Sequence, residues 1–95
     1  MPYQIAPRAL ADLDAIWSYI AEDKPRAADR TIDSLHARFT VLASQPLIGQ
    51  DRADLRPGLR MLSVGSYAIY FKSTADGVEI VRVLHSAREE GGAWN

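Results

Sequence analysis

Cysteine is absent from all 95 residues, so neither a disulfide framework nor a thiolate metal site can form and stability must come from packing. An excess of charge is missing too. Eleven Lys and Arg face twelve Asp and Glu, a formal net charge of -1, which predicts no indiscriminate attraction to nucleic acid or to an anionic membrane. No apolar run approaches the roughly 20 residues needed to cross a bilayer, and the N-terminus has no signal-peptide pattern, so the expected location is the cytoplasm. Repeats, low-complexity tracts and Gly/Ser linkers are lacking, which leaves residues 1–95 as a single expected domain. The two histidines, His36 and His85, lie far apart with no acidic ligand pattern beside them, so no metal site and no cofactor are expected. Nor is there the glycine-flanked serine of a nucleophilic hydrolase.

What remains is an ordinary soluble composition, 47% apolar and 24% charged. A chain of this length can build one core that removes about two-thirds of its unfolded surface from water. Tyr3-Gln4-Ile5-Ala6 alternates apolar and polar side chains and ends at Pro7, as a short first strand would. From Pro7 the period changes, and Leu10, Leu13, Ile16, Trp17 and Ile20 recur at helical spacing. Glu22-Asp23-Lys24-Pro25 breaks that pattern, since Pro25 disfavours helical geometry at Lys24. Ala28, Ile32, Leu35, Phe39 and Leu42 then draw one apolar stripe along a second helix of about five turns. So short a connection predicts an antiparallel helical hairpin, with His36 and Arg38 flanking its stripe.

Residues 44–58 read as a turn-rich connection, with Leu47, Ile48 and Leu55 as anchors onto the core. Three strands follow. Leu59–Val64 leads through Gly65-Ser66 into Tyr67–Lys72, where Tyr67, Ile69 and Phe71 share one face and Ala68, Tyr70 and Lys72 the other. In the last strand Val78, Ile80, Arg82 and Leu84 alternate with Glu79, Val81, Val83 and His85, and both sets are largely apolar, so this strand is expected inside the sheet. Arg82, His85 and Arg88 then project from its end, where a rigid element can hold charged or titratable groups for a partner. They read equally as solvated charges and a hydrogen-bonded rim histidine. Trp94 is expected to pack back on the domain or to anchor a partner.

The element order is strand, helix, helix, strand, strand, strand. Ala11-Asp12-Leu13 with Ile16-Trp17-Ser18-Tyr19-Ile20-Ala21, then Pro46-Leu47-Ile48-Gly49, Asp54-Leu55-Arg56-Pro57-Gly58-Leu59-Arg60, Tyr67-Ala68-Ile69-Tyr70-Phe71 and Arg82-Val83-Leu84-His85-Ser86-Ala87-Arg88 together resemble the ParE branch of the RelE/ParE toxin superfamily. The resemblance spans nearly the whole chain. It implies an α+β fold, β-α-α-β-β-β, with an antiparallel helical hairpin on a mainly antiparallel four-stranded sheet. It also implies the toxin of a type II toxin-antitoxin pair, neutralised as a hetero-oligomer by a cognate ParD-like antitoxin, with no membrane partner and no sequence-specific DNA binding by the toxin alone.

Members similar to ParE are associated with poisoning DNA gyrase, and RelE-like members with cutting messenger RNA on the ribosome. Cleavage through the ribose hydroxyl needs a base, an acid and cations for the charge growing on phosphorus. Here His85 with Arg60, Arg82 and Arg88 would have to supply them, and no tyrosine follows His85. Binding asks only for a preorganised surface with a few anchors. The expectation is therefore a non-enzymatic toxin whose target contacts are Arg82, His85, Arg88 and Trp94. Leu13, Trp17, Tyr19 and Ile20, with Arg56 and Arg60, are expected to meet the antitoxin, the two arginines by pairing with its carboxylates. Core packing is the plainer account of Trp17 and one of two for Tyr19.

Overall fold

Each helix begins on a proline, whose missing N–H would have no intrahelical partner in the first turn anyway: α1 spans Pro7–Ala21 and α2 spans Pro25–Ser44. A computed structural model describes residues 3–86. Five strands complete it, β1 (Tyr3–Ile5), β2 (Gln50–Asp51), β3 (Arg60–Val64), β4 (Tyr67–Thr74) and β5 (Gly77–His85). They form one sheet in the order β1-β5-β4-β3-β2, antiparallel except where β1 runs parallel to β5. The fold is thus α+β, with the helical pair packed against the sheet.

The sheet has five strands where four were expected. The addition is β2, two residues inside the turn-rich connection that pair with Met61 and Arg60. Gln50 and Asp51 are both exposed and polar, so no alternation marks them. What brings them to the edge is Gly49 just before, at φ 84°, where a Cβ would collide with the Met61 carbonyl. The β3–β4 turn also starts on a glycine at positive φ, Gly65 at 58°.

The main core lies between helices and sheet. α2 contributes Leu35, Phe39 and Leu42, and the strands Ile69, Phe71, Val78, Ile80 and Val83. Each such large side chain, fully buried, contributes about 1.5–3 kcal/mol relative to exposure. The stripe expected on α1 needs correction. Ala9 and Leu13 are buried, but Leu10 is 50% and Trp17 41% exposed. These two, seven residues apart, share a flank about a quarter-turn from the Ala9–Leu13 line.

The faces of β5 are also not those of a plain alternation. Phe71 pairs with Ile80 but Tyr70 pairs with Arg82, so Val81 is an extra residue on β5. Beyond this bulge the parity reverses. Val83 joins Val78 and Ile80 on the helix side, while Val81 and Leu84 join Ala68, Tyr70, Leu59 and Leu55 in a second, smaller cluster.

Candidate partner-binding groove

β1 ends at Ile5 opposite Ile80, and the Ala6 N–H closes the pairing on the Ile80 carbonyl at 2.9 Å. The chain then turns into α1. Beyond Ile80, β5 therefore has β4 on one side and a helix, not a strand, on the other. A strand edge in that position leaves backbone groups unpaired unless side chains reach them. Asp12 on α1 does so. Its carboxylate accepts from the Val83 N–H at 3.0 Å and from Nε and Nη2 of Arg82 at 2.8 and 2.9 Å. The pair is largely enclosed, with side-chain exposures of 11% for Arg82 and 14% for Asp12. The hydrogen bond to Asp12 raises the Arg82 pKa above the ordinary guanidinium value, while burial opposes the rise.

Over this ion pair lies a groove of about 420 Å³ between α1 and the end of β5. Ala15, Ile16 and Tyr19 form its helical wall, and Tyr67, Val83, Leu84 and His85 its sheet wall. Tyr67 and His85, opposite each other on β4 and β5, stand edge to face with ring centroids 5.5 Å apart. Tyr19 is 72% exposed at the lip. Large aromatics around an apolar floor, held by rigid elements, suit a protein partner, since such side chains bring contact area at little conformational cost. A single imidazole, that of His85, lines the groove.

The residues expected to meet partners are redistributed by the fold. Arg82 and His85, assigned to the target, and Tyr19, assigned to the antitoxin, line the same groove. Arg82 does not project into solvent as expected, because its guanidinium is engaged by Asp12 on α1. Arg60 is likewise turned inward, donating to the carbonyls of Leu47, Ile48 and Gly49 at 2.7, 3.3 and 3.1 Å, so it braces the connection before β3. Leu13 is 6% exposed and belongs to the core, a correction to its place among antitoxin contacts. Ile20 is half-buried. Trp17 is not packed in the core; its indole Nε1–H donates to Asp29 on α2 at 2.8 Å. Arg56 is exposed and lines a separate hollow of about 290 Å³ with Arg8, Pro57 and Lys72. Lys72 pairs there with Glu79 at 3.4 Å. Arg88 and Trp94 lie outside the described residues.

Asp12 and Tyr67 were missed as site residues. The seven-residue spacing of Asp12 and Tyr19, which puts both on one flank of α1, was a usable signal. Tyr67 carried none, because its neighbour His85 is 18 positions away in sequence. Among the described residues, no three His, Asp or Glu side chains converge as metal ligands, and no helix is long and apolar enough to cross a membrane.

Three comparisons bear on this geometry. The family described as "ParE toxin of type II toxin-antitoxin system, parDE" matches residues 3–90. Toxin ParE1 of Caulobacter vibrioides is 38% identical over 88 residues, covering 90% of each chain. Toxin RelE2 of the same organism is 42% identical over 83 residues, 85% of this chain and 90% of that one. A solved structure titled "Chromosomal ParDE TA system from P. aeruginosa" superposes with a TM-score of 0.76, covering 90% of this chain and 95% of that one, and at 23% identity it speaks to the fold alone.

Proposed function

Because this chain belongs to the ParE toxin family of type II toxin-antitoxin systems, we propose that it acts by gripping DNA gyrase and that a ParD-like antitoxin neutralises it by direct binding. The observation that carries the binding reading is the state of the two central arginines. Arg60 is engaged by three backbone carbonyls and Arg82 by the Asp12 carboxylate. Both are braces for the chain, and a transition-state clamp needs cations aimed at the substrate. The aromatic groove of Tyr19, Tyr67 and His85 is the target contact in this reading, with Arg88 and Trp94 as its continuation along the chain.

The antitoxin, in the same reading, docks on the flank of α1 that carries Leu10 and Trp17, away from the groove, and pairs an acidic residue with Arg56. An extended, partly helical segment that orders on binding would supply apolar anchors for these side chains. The resulting complex is a hetero-oligomer.

A second reading has its own support. Tyr67 sits beside His85 and supplies in space the tyrosine that does not follow it in sequence, and the chain is similar to a toxin named RelE2. In this reading the pair serves a ribosome-dependent messenger RNA endonuclease, His85 exchanging the proton.

Purified toxin in excess over gyrase, with a supercoiling assay and a search for trapped cleavage complexes, separates the two. Loss of supercoiling that the antitoxin restores is the expected result. Unchanged supercoiling, together with transcript cleavage on ribosomes that His85→Ala abolishes, would replace gyrase with the ribosome.

A further inference from the structure

We infer that Asp12 is a positioning residue for the groove, acting as a surrogate strand for the half of β5 that β1 does not reach, and that Arg82 is its partner in that task. The inference rests on the reading of the groove as the target contact. β1 pairs only as far as Ile80. The next residue, Val81, is the bulge, and bulges locally disrupt the ladder and leave the strand free to bend. Ala68 pairs with Leu84, and the Ser86 N–H reaches the Ser66 carbonyl at 2.8 Å. Bonds toward β4 thus fall on alternate residues 84 and 86, and in an antiparallel ladder residues 83 and 85 then present their backbone groups to the opposite side. That side is the one α1 crosses.

Asp12 Oδ2 receives the Val83 N–H there, and the same oxygen receives Arg82 Nε. One carboxylate thereby fixes the strand just past the bulge and the side chain beside it. The bidentate fork also fixes the plane of the carboxylate, which aims Oδ2 at the Val83 amide. Val83, Leu84 and His85 form the sheet wall of the groove, and Tyr19 rises two turns further along the same helix flank. The distance between the groove's two walls is therefore set where Asp12 meets β5. The ion pair holds the aromatic lip and the imidazole at a constant separation without touching a partner.

Amide exchange on the toxin alone tests the surrogate-strand role. Asp12→Ala is expected to speed exchange at Val83 by about tenfold, the loss of one enclosed hydrogen bond, while the Ala6 amide that closes the β1 pairing is unchanged. Asp12→Asn keeps an acceptor oxygen and should return Val83 to within about threefold of the parent chain. Unchanged exchange at Val83 in Asp12→Ala overturns the inference, and so does equal acceleration at Ala6, which would leave no effect local to the far half of β5. Arg82→Lys tests the fork. It preserves the charge and loses the two-pronged geometry, so about ten times more toxin should be needed for the same gyrase inhibition. Inhibition at the parent concentration would make Arg82 a simple cationic contact and refute its bracing role. If the parent chain does not inhibit gyrase, the proposed target falls, while the exchange result still decides what Asp12 does.

Discussion

The two halves of β5 are secured by different chemistry. From Val78 to Ile80 the strand is flanked by β1 and β4, and its edge is closed by backbone pairing that is indifferent to which side chains are present. From Val83 to His85 the flank facing α1 is held by the Asp12 carboxylate, a single side chain 71 residues away in sequence from the amide it receives. The first half can drift in sequence as long as it remains apolar and extended. The second depends on one acidic residue and one arginine, and it is the half that lines the groove. Binding surfaces commonly sit where the scaffold's regular pairing ends, because only there are side chains and edges free to be shaped.

Three substitutions can break or sharpen this contrast. The largest effect is expected from Ile80→Ala in the ladder-bound half, where a fully buried side chain is cut back to leave a cavity; about 3 kcal/mol should be lost in urea unfolding. A loss much below 1 kcal/mol would mean that β1 and β4 hold this half without its core contacts. Asp12→Ala comes next, at about 2 kcal/mol, since it leaves a mostly enclosed guanidinium and a backbone N–H to find other partners. If it proves neutral, the two halves do not differ in what secures them. The smallest is Ala6→Pro. Ala6 already has φ -62°, so proline fits the backbone dihedral; it removes the N–H that meets Ile80, and its Cδ, standing where that hydrogen was, moves the Ile80 carbonyl aside, for about 1 kcal/mol. A larger loss would show that the end of the ladder is as dependent on one bond as the Asp12 half.

Legibility followed the range of the interaction. The helices were readable because Ala28, Leu35, Phe39 and Leu42 repeat at a fixed short spacing and all face the core. Trp17 was misplaced for an equally local reason: at the edge of an apolar stripe, spacing does not distinguish a core side chain from one that reaches across to Asp29. β2 escaped notice because two exposed polar residues carry no period. The face assignments at the end of β5 failed at one residue, Val81, since a bulge shifts every later side chain to the other face and depends on the pairing with β4. Arg60 and Arg82, expected to meet partners, instead serve the fold, because carbonyls of the connection before β3 engage the first and the Asp12 carboxylate on α1 the second.

The sequence alone determined the element order, the helical hairpin, the apolar stripe of α2 and the likeness to ParE toxins, all of which rest on neighbours within a few positions or on motifs in a fixed order. Tertiary structure alone decided that Asp12 would cap β5, that Tyr67 would stand against His85, and that a residue assigned to the target would share a groove with one assigned to the antitoxin. The physical reason is that these arrangements join groups as much as 71 positions apart, and their geometry is set by where β1 stops and where β5 bulges, which no local period records.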